Sequence, residues 1–396
     1  MKIGIVKPDF KIYGGFEVVI DHIKDGLMQK GYDVTIIKVD MSQRLYENNM
    51  FKVSEQIYNE NIEFFSYIFA FQKFENLELD EYDIVISTQP PSFAIKHLRH
   101  ISLFYHHKKI YYDLFDLLKE VKHFDNEEVF DLSAKIVHSI DSNYLTNRIH
   151  YLAGSRHVAK RLKRFNNIEN TNVFYAGIDD SYFDSYKTKY ENPICVGRHE
   201  FPKRPELFIH AMKHITGLNG KVIGSGGRTE AVKKLDRYLT FIHSEGTDIS
   251  DNILWKDIFF KIDILERELV TKRYKTNVGF CGNIGHTQLI TEYTNSLCVV
   301  CPAFEEDYGL TAVEAMAFGK PVIACYDGGG YNELINDGDT GFIVEPDAHQ
   351  IAEKINFLRD NPLELKRISK NAFEASKKFS WTKSISELDY FIKNID

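Results

Sequence analysis

The chain has 396 residues, 43% of them hydrophobic and 27% charged, with a net charge of −8. That length exceeds one ordinary core and suits two domains, and the composition is that of a soluble globular protein. The acidic balance gives no reason to expect nucleic acid as a partner. The five cysteines are Cys195, Cys281, Cys298, Cys301 and Cys325, an odd number confined to the C-terminal half. Cys298 and Cys301 have C-x-x-C spacing, but no second Cys or His pair completes a zinc site, so buried strand cysteines in a reducing compartment are expected. No signal-peptide pattern precedes the first strand, and no apolar run approaches the length of a membrane span. The expected location is therefore cytoplasmic, free or resting on a membrane surface.

In chain order, Lys2 to Val6 reads as a strand, and Lys7 to Gly15 as the loop after it. Phe16, Val19, Ile20, Ile23 and Leu27 recur at helical spacing, and Gly31 to Ile37 turns into a second strand. This β–loop–α–β opening is the first half of a doubly wound domain. Gly14-Gly15 is not part of a G-x-G-x-x-G fingerprint and on its own is a turn. Residues 41–82 carry mixed helical patterning. Further strands are expected at Asp83–Ser87, Ile101–Tyr105 and His150–Ala153, with helical sequence across 111–149. His106-His107 follows a strand end, where parallel sheets bind ligands, although loop histidines are by default merely solvated. Ser155 is a candidate N-cap for a helix over 156–165 that is basic outside Val158, Leu162 and Phe165. A solvated face is the common reading of that pattern. A docking face for anionic lipid is the other, at roughly 1 kcal/mol per Lys or Arg.

The expected boundaries are a first domain over 1–180, a polar linker over 181–192, a second domain over 193–378 and a terminal helix over 379–396. In the second domain Ile194 to Gly197 is a strand, Arg198 to Pro205 its loop, and Leu207, Phe208, Ala211, Met212 and Ile215 one helical face. Lys221 to Gly227 is a strand running into a glycine turn. The connection over 228–276 is longer than a simple crossover needs, with Trp255, Phe259, Ile262 and Leu265 giving it an amphipathic character. Val278 to Asn283 is the next strand and loop. Gly338 to Val344 contains the last strand, and Ile385, Leu388, Phe391 and Ile392 mark one face of the terminal helix.

The stretch Cys301 to Glu333 carries the chemistry. A strand ends at Cys301, a loop follows, and a helix begins near Gly309-Leu310-Thr311. A second strand, Val322 to Cys325, then ends in Asp327-Gly328-Gly329-Gly330. Glu306 lies in the loop and Glu314 about one turn into the helix. The first N–H groups of a helix lack intrahelical acceptors and, with the macrodipole, favour an anion. A phosphate flanked by two carboxylates that accept from hydroxyls fits a nucleotide-sugar. An acidic pair that merely stabilises a helix start is the plainer reading of those glutamates alone.

Here E-D-Y-G-L-T-A-V-E-A-M-A-F-G-K-P-V-I resembles the E-x7-E signature of the family-4 retaining glycosyltransferases. That resemblance implies the GT-B fold, in which two Rossmann-like domains face an interdomain cleft and the C-terminal helix returns to the N-domain. Gly197-Arg198 followed by Lys203 is similar to the family's "GR…K" element, whose cations would bind the departing diphosphate. The resemblance places Glu306, Arg198, Lys203 and His107 in the reaction, with the F-Y-x-H run at Phe104–His107 favouring His107 over His106. It assigns Glu314, Gly309, Leu310, Thr311, Gly14, Gly15, Gly282 and Asn283 to the donor, and His106 and Phe16 to the acceptor side. It further implies a UDP- or GDP-sugar donor, a saccharide, lipid-linked saccharide or glycosylated small-molecule acceptor, retention of anomeric configuration, and no metal or cofactor. A sugar-nucleotide epimerase and a non-catalytic nucleotide-sugar-binding subunit are the competing expectations.

Overall fold

The computed structural model describes residues 1–11, 14–41, 53–124, 126–185, 189–258 and 275–395. The chain divides into two compact units, Met1–Gly177 with Trp381–Asp396, and Ile178–Ser380.

The first unit is built on six strands, β1 Lys2–Asp9, β2 Asp33–Asp40, β3 Ile84–Ser87, β4 His100–Phe104, β5 His150–Ala153 and β6 Thr171–Val173. They are parallel and ordered β2-β1-β3-β4-β5-β6. Strand β1 runs three residues beyond the expected Val6, because β2 pairs with it as far as Asp9↔Asp40. Pro8 is tolerated there since β3 ends opposite Val6, leaving that side of β1 without a partner strand. Helix α1, Gly15–Gln29, returns the chain to β2 and buries Val19, Ile20, Ile23 and Leu27, each worth roughly 1.5–3 kcal/mol against exposure. The patterned stretches between strands become α2 Glu55–Glu60, α3 Ile62–Glu75, α4 Phe115–Glu120 and α5 Glu127–Tyr144. Helix α6, Arg156–Asn166, starts as expected at Ser155, whose hydroxyl accepts from Val158 N–H at 3.1 Å.

The C-terminal helix Trp381–Lys393 belongs to this unit and packs on α1. Their approach is so close that a Cβ on Gly26 would lie 2.5 Å from Ile385 Cγ1. Tyr32 donates to Asp389 at 2.6 Å, Ser384 donates to the Tyr175 carbonyl at 2.9 Å, and the His22 ring stacks on Trp381.

The second unit repeats the plan with β7 Ile194–Val196, β8 Gly220–Ile223, β9 Val278–Gly282, β10 Val299–Cys301, β11 Val322–Cys325 and β12 Gly341–Val344. These parallel strands are ordered β12-β11-β10-β7-β8-β9. Among the helices around them are α7 Pro205–Lys213, α8 Thr229–Ser244, α9 His286–Asn295, α10 Leu310–Ala317, α11 Ala348–Asp360 and α12 Pro362–Ser376. Helix α7, expected to bury one face, is buried all round, because α8 and α11 both pack on it. Its charged Lys213 is accommodated by Asp236, Thr276 and Asn277.

Two boundaries differ from expectation. The polar segment read as a linker is held in the second unit, where Asp180–Ser185 forms a 3₁₀ turn and Tyr182 packs on Phe318. Beyond it, Lys320 Nζ donates to the Lys189 carbonyl at 2.7 Å, and Leu297 N–H donates to that of Asn192 at 2.9 Å. The long 228–276 connection is in its first part an ordinary crossover helix, α8, burying Val232, Leu235, Leu239 and Ile242. Phe259, Ile262 and Leu265 lie outside the described residues. All five cysteines are free, and four are buried at strands or beside them.

Candidate functional site

In the second sheet the chain direction of assembly reverses between β7 and β10, which are neighbours although far apart in sequence. Loops leaving the carboxyl ends of two such strands diverge and open a crevice suited to a ligand. The residues singled out from the sequence sit on those two loops. Arg198 and Lys203 follow β7, while Glu306 and the start of α10 follow β10.

The loop backbones are fixed by glycine and by cross-loop bonds. Phe304 N–H donates to the Pro202 carbonyl at 2.7 Å, and Glu305 N–H to the Asp327 carbonyl at 2.9 Å. Gly330 N–H donates to the Glu306 carbonyl at 2.7 Å, within a parallel bridge between Glu306 and Gly329. Gly329 has φ +62°, and a Cβ there would lie 2.5 Å from the Glu306 carbonyl oxygen. On the other side, Gly224 N–H donates to the Gly282 carbonyl at 2.9 Å, and a Cβ on Gly224 would meet the Gly197 carbonyl oxygen at 2.1 Å. Gly197, Gly224 and Gly282 thus close the β7, β8 and β9 ends together, with Asn283 exposed beside them.

Lys203 Nζ and Glu306 form a direct ion pair at this edge, with 27% and 15% of their side chains exposed. Arg198 is exposed on the same loop. Gly309, at φ +101°, caps α10, and its carbonyl accepts from Ala312 N–H at 2.9 Å. The N–H groups of Leu310 and Thr311 therefore open the helix without intrahelical acceptors. Glu314 lies one turn further in, and its Oε2 accepts from Tyr293 Oη at 2.8 Å. Burial raises the Glu314 carboxyl to about 7, against the lowering effect of that bond. Tyr293 in turn stacks on Phe318, which Tyr182 also contacts.

Several residues that shape the site were not found from the sequence. Arg204 is buried, with Nε donating to the Pro302 carbonyl at 2.7 Å and both terminal nitrogens donating to Asp327. Its guanidinium lies 4.8 Å from the Trp255 ring centroid and 5.8 Å from that of Phe304. Trp255 also stacks on Phe201 and donates to its carbonyl at 3.1 Å. One arginine thus joins the β7, β10 and β11 loops, under a tryptophan from the 228–276 connection. The Lys203-Arg204-Pro205 run was the available signal, since proline at the first helical turn marks the preceding residue as a cap. Nothing in the sequence distinguished Tyr293.

In the first unit, Gly14 and Gly15 follow β1, beside the corresponding reversal between β1 and β3. Glu17 fixes that turn by accepting from Gly14 N–H at 3.0 Å and from the buried Lys7 at 2.9 Å. The half-buried Phe16 packs edge-on against Tyr105, next to the half-buried His106. His107 requires a correction. It was expected at the transferred sugar, but it is fully buried among Phe104, Tyr112 and Phe165, with Nε2 donating to Asn166 at 2.7 Å. Burial lowers its imidazole to about 3, so it is a neutral core residue. The basic helix keeps most of its charged face. Arg161 turns inward to pair with Asp113 at 2.9 Å, leaving Arg156, Lys160, Lys163 and Arg164 on the exposed face. Among the described residues no helix is long and apolar enough to cross a membrane.

Residues 265–375 match the model of the glycosyl transferases group 1 family. An uncharacterised glycosyltransferase of Methanocaldococcus jannaschii is 28% identical over 219 residues, 52% of this chain and 61% of that protein. The alpha-1,3/1,6-mannosyltransferase ALG2 of Dictyostelium discoideum is 25% identical over 241 residues, 60% of this chain and 52% of that one. The alignments thus span little more than half the length of these relatives. Among solved structures, sucrose-phosphate synthase from Thermosynechococcus elongatus superposes with a TM-score of 0.67 at 17% identity, covering 99% of this chain and 98% of its own. HepE of Anabaena, in complex with UDP and glucose, gives 0.65 at 16% identity, covering 99% of both chains. The chain therefore has the GT-B architecture, and residues 265–375 of its second unit are similar to the glycosyl transferases group 1 family.

Proposed function

We propose that the protein is a retaining glycosyltransferase that moves a sugar from a nucleoside-diphosphate sugar, UDP- or GDP-linked, to a hydroxyl of a saccharide or lipid-linked acceptor. The observation that carries this reading is the Lys203–Glu306 ion pair beside exposed Arg198, at the β7/β10 reversal and the mouth of α10. Without ligand, Lys203 and Glu306 satisfy each other. A diphosphate takes Lys203, together with Arg198 and the N–H groups of Leu310 and Thr311, and a hydroxyl of the transferred sugar takes Glu306. Glu314, set deeper, accepts from the ribose hydroxyls. HepE, bound to UDP-glucose in its crystal structure, shares the fold, which favours this class of donor.

The chemistry follows from where charge develops. As the bond from the anomeric carbon to the phosphate oxygen breaks, negative charge gathers on the diphosphate, where Arg198, Lys203 and the helix mouth stabilise it. The acceptor oxygen bonds to the anomeric carbon from the same face, and its proton passes to the departing phosphate oxygen. The two cationic side chains fill the role a divalent cation would play, so added Mg2+ or Mn2+ leaves the rate unchanged. Gly14 and Gly15 belong to the donor side, and Phe16 and His106 to the acceptor side. The exposed basic face of α6 is the proposed contact with anionic membrane.

The test is transfer by the purified protein across UDP-, GDP- and ADP-sugars, with the product anomer read by NMR. Arg198→Ala should lower kcat about 100-fold or more while leaving thermal stability unchanged, because the side chain is exposed. Unchanged transfer by that variant, or an inverted product, would overturn the mechanism.

A further inference from the structure

A second cluster of ionisable groups lies along α7, two turns beyond Arg204, and plays no part in the chemistry above. His210 is on α7 and His214 caps its end, four residues apart and so on one face. Asp248 comes from the segment after α8, and the Nε2 atoms of both histidines face its Oδ1, at 2.8 Å and 3.9 Å. One ligand atom from each of the three residues lies within 4.8 Å of the others. In tetrahedral coordination at Zn–N and Zn–O distances near 2.1 Å, ligand atoms stand about 3.4 Å apart, so the cluster spans that value.

Three features point to a bound cation and not only to an ion-pair network. His214 Nε2 is shielded from solvent and has no hydrogen-bond partner among the described residues, although a carboxylate oxygen stands 3.9 Å away. His210 Nδ1 donates to Asp251 at 2.7 Å, and the other oxygen of Asp251 accepts from Ala348 N–H at 2.8 Å. A carboxylate held in this way fixes a ligating imidazole in orientation and tautomer, with Nε2 turned to the metal. Finally, His349 at the start of α11 holds the other oxygen of Asp248 at 2.8 Å, and its ring lies 3.9 Å from that of His214.

We infer that His210, His214 and Asp248 form a site for a divalent transition-metal ion such as zinc, with the fourth position open to water on the solvent side. Two imidazoles and one carboxylate suit a borderline-soft cation better than Ca2+ or Mg2+. The role is structural. The ion ties α7 to the segment that runs through Asp248 and Asp251 to Trp255, and thereby holds Trp255 over Arg204.

The experiment is a zinc titration of the untagged full-length chain, followed by calorimetry and thermal denaturation, with Co2+ as a spectroscopic probe. One equivalent should bind and raise Tm. Co2+ should give visible d–d bands without the intense charge-transfer band of thiolate ligation. Asp248→Asn and His214→Ala should each weaken zinc about 100-fold or more, and the exposed His349→Ala about 10-fold, through loss of its hold on Asp248. Circular dichroism of the metal-free variants verifies folding, and the Asp248 and His349 side chains are exposed, so their replacement leaves the core intact. Binding well below one equivalent, a thiolate-type Co2+ spectrum, or variants that bind zinc as tightly as the parent would each overturn the site.

Discussion

Glu314→Gln separates the electrostatic cost of a buried acid from everything else in the second unit. Burial moves the Glu314 carboxyl from an ordinary 4.5 to about 7, which corresponds to about 3 kcal/mol between the two protonation states. The sign follows from proton linkage. Between pH 4.5 and 7 the folded state keeps a proton that the unfolded state has released, so this group's contribution is intact below 4.5 and is lost as pH rises through 7. Glutamine is neutral at every pH, and its amide oxygen can still accept from Tyr293. The variant should therefore match the parent near pH 4.5 and exceed it by up to about 3 kcal/mol at pH 8. Urea unfolding at half-unit pH intervals measures this, and the quantity to plot is the difference between the two proteins, which cancels the other titrating groups. A difference that stays flat within 1 kcal/mol across that range would refute the reasoning. The same proton connects to the proposed donor site. Ribose hydroxyls donating to Glu314 select its ionised form, so nucleotide binding at pH 6 should release more protons from the parent than from Glu314→Gln, as calorimetry in two buffers reads.

Two further substitutions probe the scaffold. Arg204→Lys keeps the charge but loses the planar fork that reaches both Asp327 and the Pro302 carbonyl, and it should destabilise the second unit by about 2–4 kcal/mol in chemical denaturation. His107→Phe should cost about 1–3 kcal/mol of stability, because it strands the buried Asn166 amide, while leaving kcat of the folded enzyme near the parent value. A selective loss of kcat in that variant would instead return His107 to the reaction.

Much of the architecture could be read from local signals. Strands of four or more apolar residues, such as Val322–Cys325, and the helical spacing of Val19, Ile20, Ile23 and Leu27 place themselves. Polarity misled where tertiary contact decides. The segment after Asp180 reads as solvent-exposed linker, yet Tyr182 packs on Phe318, Phe183 packs on Phe373, and the Lys189 and Asn192 carbonyls accept from Lys320 and Leu297. His107 shows the same limit from the other direction. A histidine at the end of a parallel strand has the right address for a ligand, but whether its ring points out or into the core depends on Tyr112 and Phe165, which approach from elsewhere in the chain. Within the proposed site, Glu306 and Glu314 are placed by their spacing from a helix start, and Lys203 by its resemblance to a family element. Arg204, Tyr293 and Trp255 are defined by contacts more than twenty residues distant or across loops, and spacing carries no trace of those.

The adjacent cations Lys203 and Arg204 show how this site separates support from chemistry. Arg204 adopts φ +45°, a left-handed conformation costing an ordinary side chain about 1–2 kcal/mol, and that turn ends the loop and starts α7. The strain persists because the guanidinium it directs inward gains a charge-assisted fork on Asp327, a carbonyl on the β10 loop and two aromatic faces. Lys203, one residue earlier, is thereby turned toward Glu306 at the edge. With the supporting arginine already committed, the cation facing the proposed donor is Lys203, which with its partner Glu306 remains partly open to water. For the proposed diphosphate, a charge array pre-set in that way requires little reorganisation, which is the condition under which positive groups lower a barrier and do more than bind.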